Sequence, residues 1–182
     1  MAEPSLQDRD ALLTTLKMRL AEQPFWLRRV DRCLDATASA RLHLAVFREP
    51  FLSLLVEGKK TIESRFSVNR VAPYGCIARD DVILLKRNGG PVVGAAIAGD
   101  PGFYEMDAVA WHDIRARFAA AICAPGEGFW AQRAGARYAT LIPVRALTTF
   151  APFAIGKRDR RGWVVVDPLQ PAQATLDAAL EP

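Results

Sequence analysis

Apolar residues recur at helical spacing over the first part of the chain. This pattern predicts one helix over residues 5–22 and a second, shorter helix from Pro24 to about Leu34. Pro24 separates the two helices because proline is tolerated in the first turn of a helix but not in its interior. Residues 35–40 are small and predict a linker. We therefore expect an N-terminal helical extension, residues 1–40, ahead of the main domain.

Beyond the extension, the apolar residues alternate with polar ones or form continuous runs, as in strands with one or two buried faces. Six strands are predicted, near residues 42–47, 61–66, 81–86, 92–98, 138–147 and 163–166. Asn88-Gly89, between two of these runs, predicts a hairpin. Gly94 inside a strand predicts a bulge or the close approach of another backbone, and Pro143 predicts an edge strand or a bulge.

One further long helix is predicted after Asp107, which is a good N-terminal cap for the apolar helical face that follows. Residues 168–180 are compatible with a terminal helix outside the core. Strands interspersed with helices predict an α+β protein, a small, mixed, partly closed β-barrel with flanking helices. We assign the barrel domain to residues 41–168 and a C-terminal tail or short helix to residues 169–182.

The stretch of residues 48–66 gathers the charged side chains that are candidates for function. Glu49 is placed to cap a short helix whose first residue is Pro50. Gly58 is expected to end that helix because glycine adopts the left-handed conformation without steric penalty. A strand with one buried face then follows. Its buried face is expected to carry Ile62, Ser64 and Phe66, and its polar face Thr61, Glu63 and Arg65.

The same residues resemble a known signature. The string Glu49-Pro50-Phe51-x4-Val56-x-Gly58-Lys59-Lys60-Thr61-Ile62-Glu63-x-Arg65 is similar to that of the ASCH domains, a branch of the PUA-like β-barrels associated with RNA. Asp81-Val82 and Val93-Gly94 match the strand and the hairpin that follow in that pattern. The resemblance covers roughly residues 42–167. It implies a PUA-like barrel that binds RNA or a nucleotide-like ligand.

The resemblance also admits an enzyme. Some small ASCH proteins hydrolyse the amide of acetylated cytidine with a lysine, a threonine and a glutamate, and others are metal-independent ribonucleases. Lys60 occupies the position of that lysine, but Glu63 stands where the threonine would be. Thr61 lies on the same predicted strand face at another position, and Glu105 is a candidate for the glutamate. The residues considered for catalysis are therefore Lys60, Thr61 and Glu63, and Lys59 is expected to lower the pKa of Lys60 by charge repulsion.

The charge of the chain permits a polyanionic partner without requiring one. It has 24 basic and 20 acidic residues and a formal net charge of +4. The basic residues form two groups, one in the motif at residues 59–65 and one at residues 157–161. The competing interpretation is that both groups are solvated loops.

Other chemistries lack their residues. Cys33, Cys76 and Cys123 are scattered and are expected to be buried apolar residues, and with only two histidines a metal site is not expected. No glycine-rich phosphate loop is present, so no cofactor is expected either. The sequence contains no apolar run long enough to span a bilayer and does not start like a signal peptide. We therefore expect a cytoplasmic protein without a membrane partner.

Binding of RNA or a nucleotide-like ligand is the preferred hypothesis. Lysine and arginine would contact phosphate, and Glu63 would accept from an exocyclic amine of a base. The candidate binding residues are Glu49, Lys59, Lys60, Glu63, Arg65, Lys157, Arg158 and Arg160. The aromatic residues considered for base stacking are Phe103, Tyr104, Trp130 and Tyr138.

Two non-catalytic alternatives remain open at the level of the sequence. In the first, Glu63 and Arg65 only form an ion pair that closes the mouth of the barrel. In the second, the protein is an interaction module whose helical extension forms a partner or dimer surface. The oligomeric state is not indicated.

Overall fold

The computed structural model describes residues 9–35, 40–124, 126–156 and 161–166, which form five helices and seven strands. The helices are α1 (Arg9–Arg19), α2 (Pro24–Leu34), α3 (Phe51–Val56), α4 (Ala108–Ile122) and α5 (Glu127–Ala131). The strands are β1 (Leu42–Phe47), β2 (Ile62–Ser67), β3 (Val82–Arg87), β4 (Val92–Ala98), β5 (Gly102–Glu105), β6 (Tyr138–Phe153) and β7 (Trp163–Val166). The terminal helix predicted at residues 168–180 and the binding candidates Lys157, Arg158 and Arg160 lie outside the described residues.

The strands form one curled, mixed sheet in the order β2-β6-β4-β3-β1-β7, and β5 pairs with the start of β6. β1 and β3 are parallel, and the other described pairs are antiparallel. β6 pairs with β2 and β5 along its first part and with β4 along its second part. The sheet curls into a half-barrel whose end strands, β2 and β7, border an open seam. The predicted α+β, partly closed barrel is confirmed.

The predicted elements that fall within the described residues are present, with differences in extent. β5 was not predicted, because its four residues Gly102–Glu105 are too short for an alternating pattern to stand out. β6 continues to Phe153, beyond the predicted end at residue 147. Asp107 caps α4 as predicted, since its Oδ1 accepts a 2.7 Å hydrogen bond from the Ala110 N–H.

Gly94 lies where β4 and β6 approach each other closely. A Cβ on Gly94 would lie 2.4 Å from the carbonyl oxygen of Thr148, so only glycine fits there. The pairing register between β4 and β6 also shifts between Val92 and Gly94, and again between Ile97 and Ala98, close to Pro143. Both features predicted for Gly94 are therefore found. For Pro143 the bulge is found but the edge position is wrong, because β6 lies inside the sheet.

Three apolar clusters hold the layers together. The first joins α1 and α2 to the outer face of the sheet, with Leu12, Leu16, Trp26, Leu44 and Leu84 among its members. The second fills the half-barrel, with Phe47, Leu52, Ile83, Leu85 and Trp163. The third packs α4 and α5 against β2 and the start of β6, with Ile114, Ile122, Phe129, Trp130 and Leu141. The helical extension thus packs on the barrel and shares its core.

Both faces of β2 are covered, which corrects the expectation of a single buried face. The face with Ile62 and Phe66 packs against the third cluster. The opposite face holds Glu63, which is buried at 5% exposure, and Arg65. The alternation predicted for this strand is correct, but its polar side chains point into the half-barrel because the sheet curls around them.

A chain of buried polar side chains crosses the half-barrel behind the seam. Asp81 accepts backbone N–H groups of Arg41 and Ala78, each at 2.8 Å. Its Oδ2 also lies 2.9 Å from His43 Nε2, and the indole N–H of Trp163 donates to His43 Nδ1 at 3.0 Å. An indole only donates, so Nδ1 must accept and the His43 proton sits on Nε2. This chain fixes the ring of Trp163 at the start of β7.

Of the three cysteines, Cys33 is buried as predicted, whereas Cys76 and Cys123 are only half-buried. Burial raises the pKa of the Cys33 thiol to about 11. None of the described helices is both long enough and apolar enough to cross a bilayer.

Candidate functional site

A cleft opens in the seam between the two ends of the sheet, and we refer to it as the seam cleft. Its volume is about 740 Å³. It is bordered by β2, by the end of β1, by the β3–β4 hairpin, by α5 and by the start of β7. Its polar and charged lining residues are Arg48, Lys60, Glu63, Ser64, Arg65, Lys86, Asn88, Arg133 and Arg161, and its aromatic lining residues are Phe47, Phe51, Phe66 and Phe129.

Arg65 bridges the seam. Its guanidinium donates to the carbonyl of Gly162 at 3.2 Å and to the carbonyl of Val46 at 3.0 Å. It also lies over the rings of Phe47 and Trp163, in each case 5.1 Å from the ring centroid. Since β2 and β7 are at opposite ends of the sheet, these hydrogen bonds take the place of strand pairing across the seam. Closure of the barrel mouth, one of the sequence alternatives, is therefore carried out mainly by Arg65.

Lys60 caps the C-terminus of α4, whose last residue, Ile122, lies 62 residues later in the chain. Its ammonium donates to the carbonyl of Ile122, the last residue of α4, at 3.0 Å and to that of Ile62 at 2.7 Å. The backbone N–H of Thr61 donates to Ala121 in the same last turn, at 3.0 Å. A cation at a helix C-terminus is stabilising because the last carbonyls have no partner within the helix. The hydrogen bonds from Lys60 and Thr61 thus hold the start of β2 against the C-terminal end of α4.

The pKa of Lys60 is lowered, as predicted, but from a different cause. Lys60 is only 3% exposed, and this burial is the main reason that its pKa lies below 10.5; the Glu63 carboxylate opposes the shift. Repulsion from Lys59 is not the cause. Lys59 is exposed and turned away, paired with Glu57 at 2.8 Å.

Glu63 lies between two cations on the floor of the seam cleft. Its Oε1 is 2.7 Å from Arg65 Nε and its Oε2 is 3.4 Å from Lys60 Nζ. The Arg65 Nε–H is not aligned with a hydrogen-bond acceptor, so the first contact is an ion pair without a directed hydrogen bond. The ion pair considered for Glu63 and Arg65 is present, and Lys60 extends it to a row of three charges.

The lining of the seam cleft is strongly cationic. Among the described lining residues, one carboxylate, that of Glu63, stands against six basic side chains. Arg133 lies over the ring of Phe129 at 3.6 Å and donates to the Phe129 carbonyl at 2.7 Å. Burial lowers the pKa of Arg133, and Glu63 acts in the opposite direction. The surplus of positive charge makes the cleft suited to an anion.

The structure separates the predicted site residues into two sets. Lys60, Glu63 and Arg65 line the cleft, whereas Lys59 and Thr61 are exposed outside its lining. Glu49 also lies outside that lining and is not the N-cap residue; α3 begins at Phe51 after Pro50. The Glu49 carboxylate still serves this helix end by accepting from the N–H and hydroxyl of Ser53, which lowers its pKa.

The three residues considered for catalysis, Lys60, Thr61 and Glu63, are likewise not brought together, because Thr61 lies outside the cleft. Glu105, the other carboxylate considered, is exposed on β5 and pairs with Arg70. The stacking candidates lie elsewhere too: Trp130 is buried in the third cluster, and Phe103 and Tyr138 pack with Tyr74. In the described part of the chain, no group of three or more metal-ligating His, Cys, Asp or Glu side chains is found.

Three cleft cations were not singled out from the sequence. Arg48, Lys86 and Arg133 come from three separate elements and meet only because the sheet curls. Arg48 was the most accessible to prediction, because it stands next to the motif at the end of a predicted strand. Arg133 carried no signal, since it follows the five-residue α5 in an irregular stretch.

Among solved structures, the ASCH protein of Zymomonas mobilis has the same fold. It shares 16% sequence identity with this chain at a TM-score of 0.51, over 63% of this chain and 73% of that one. Two single-residue variants of that protein match with the same identity and TM-score, over 74% and 76% of their chains. No family model and no curated relative matches the sequence. At this identity the likeness establishes the fold, and the protein therefore has the ASCH fold that its motif predicted.

Proposed function

We propose that the seam cleft binds single-stranded RNA or a nucleotide-like ligand. The observation that carries this proposal is the set of six basic side chains around one carboxylate in a cleft of about 740 Å³. Clefts of this size hold small organic ligands, and a phosphate-bearing ligand would offset the cationic surplus. The ASCH fold, which is associated with RNA, favours a nucleic acid over other polyanions.

The cations differ in their availability to a ligand. Lys60 and Arg65 are engaged with backbone carbonyls and with Glu63, so their first role is to shape the cleft. Arg48 is exposed and forms no ion pair with a described residue, and Arg133 stacks on Phe129 at the border of the cleft. We therefore assign phosphate contacts to Arg48 and Arg133 ahead of Lys60 and Arg65.

The salt dependence of RNA binding tests this assignment. Arg48→Ala and Arg133→Ala should each weaken binding of a short single-stranded oligonucleotide and reduce the slope of log affinity against log salt by roughly 0.7, the value for one lost phosphate contact. Binding is measured by fluorescence anisotropy between low and physiological salt. Salt slopes unchanged in both variants would remove these arginines from the interface.

Arg117→Ala is the matched control. Arg117 is an exposed arginine on α4, outside the seam cleft, and is paired with Asp113 at 2.9 Å. Its removal lowers the net charge by the same amount as the cleft variants. The control should keep the parent salt slope, and a loss equal to that of the cleft variants would mean that binding follows overall charge and not the cleft.

Hydrolysis of a modified nucleoside or of RNA is the second candidate. The lowered pKa of the buried Lys60 favours it. Binding is placed first because Lys60 already donates to two carbonyls and because Thr61, the hydroxyl considered for this chemistry, lies outside the cleft.

A further inference from the structure

Both ends of the seam cleft carry basic side chains, but a cluster of three phenylalanine rings beside the Glu63 carboxylate lies at one end. At one end the rings of Phe51, Phe66 and Phe129 are in contact, with centroids 5.9 Å apart for Phe51 and Phe129 and 6.3 Å apart for Phe66 and Phe129. Lys60 lies over Phe51 and contacts Glu63, so the carboxylate adjoins this aromatic end.

The opposite end carries cations. Val46 pairs with Lys86 across β1 and β3, and its N–H donates to the Gly162 carbonyl, next to Arg161. Lys86, Gly162 and Arg161 all line the cleft. Arg65 connects the two ends, because it contacts Glu63 on one side and Gly162 on the other. A mononucleotide matches this arrangement with its base at the aromatic end and its phosphate at the Val46–Gly162 end. In a longer single strand, Arg133, which lies over Phe129, would contact the phosphate on the other side of that base.

Glu63 retains acceptor capacity that the described residues do not use. A carboxylate offers about four lone-pair sites. Within the described residues, one of its oxygens faces Arg65 at 2.7 Å and the other faces Lys60 at 3.4 Å, which leaves sites on both. The residue is 5% exposed and lines the cleft, so a ligand in the cleft can reach these sites.

We propose that Glu63 determines base specificity by accepting from the exocyclic amine of a base held at the aromatic end. This inference rests on the proposed function and adds the ligand class: a nucleotide whose base carries an amine, as cytosine and adenine do. A carboxylate only accepts, so it pairs with the N4 amine of cytosine and repels the O4 carbonyl that uracil presents at the same position. Specificity therefore includes a repulsive part as well as an attractive one.

The test uses CMP and UMP, which carry the same ribose and phosphate and share a pyrimidine ring that differs at position 4. Calorimetric titration of the full chain at low salt should give an affinity for CMP that is at least about fivefold higher than that for UMP, the lower limit for a well-placed base contact. AMP and IMP form a second matched pair with the same expected direction. In Glu63→Gln, whose amide can donate as well as accept, the ratio of the CMP and UMP affinities should fall towards one.

The outcomes separate this inference from the function on which it rests. Equal binding of CMP and UMP by the parent chain, or an unchanged ratio in Glu63→Gln, overturns the role of Glu63 while RNA binding stands. Absence of binding to any of the four nucleotides and to an oligonucleotide at low salt overturns both. The comparison of CMP with UMP in the parent chain needs no variant, so the inference stays testable if Glu63→Gln does not fold.

Discussion

Replacing Asp81 by alanine is expected to lower the free energy of unfolding by about 3–5 kcal/mol. Asp81 is fully buried and accepts from two backbone N–H groups and from His43. Its removal leaves three donors without their acceptor and releases His43, which in turn positions Trp163. Chemical denaturation followed by tryptophan fluorescence measures the loss of stability. An unchanged dependence of the free energy of unfolding on denaturant concentration shows that the variant and the parent expose the same surface on unfolding.

Asp100→Ala is the control for this prediction. Asp100 is an exposed aspartate that pairs with Arg79 at 2.6 Å, and its side chain is 74% exposed. Exposed pairs of this kind contribute about 0–1 kcal/mol because solvent screens them. An Asp81→Ala variant as stable as Asp100→Ala would show that the buried chain of Asp81, His43 and Trp163 does not support the half-barrel.

Replacing Lys60 by methionine is expected to cost at least about 2 kcal/mol, since two buried carbonyls lose their donor at roughly 1–3 kcal/mol each. Those carbonyls belong to Ile62 and to Ile122 at the end of α4. Methionine keeps the apolar stem in place, so the loss reports the ammonium and not the packing. Thermal and chemical unfolding of the variant and the parent provide the measurement.

Lys59→Met serves as the comparison for Lys60. Lys59 is its sequence neighbour but is exposed, and among the described residues its ammonium pairs with Glu57 alone, so this change should leave stability nearly unaltered.

Stability should also depend on pH through Lys60. Because burial lowers its folded pKa, the unfolded chain holds this proton more tightly, and the parent should gain stability relative to Lys60→Met as pH rises towards 10.5. A loss of stability as pH rises towards 10.5 would contradict burial as the cause of the lowered Lys60 pKa.

Much of the fold could be predicted because its signals are local. The left-handed glycine that follows α3, Gly58 with a φ of 72°, and the N-terminal cap of α4 at Asp107 each depend on a single residue type at one position. The close approach at Gly94 was predictable for the same reason. β5 could not be predicted, because a four-residue strand is defined by its partner β6 and not by its own pattern.

The candidate site was predictable in position but not in roles. The motif led to Lys60, Glu63 and Arg65, which do line the cleft. The partners of Lys60 and Arg65 are distant in sequence. Lys60 caps the end of α4, and Arg65 donates a hydrogen bond to the carbonyl of Gly162, ninety-seven residues away. No local pattern encodes such contacts, so Lys60 and Arg65 could not be recognised as residues that assemble the cleft.

Mapping the surface that contacts RNA tests the central claim most directly. Backbone amide resonances of ¹⁵N-labelled protein are followed while a short single-stranded RNA is added at low salt. The seam cleft predicts that the largest shifts fall on its lining, at Arg48, Ser64, Gly89, Arg133 and Gly162. Shifts confined to the outer faces of α1, α2 and α4, or none at all, would contradict the account.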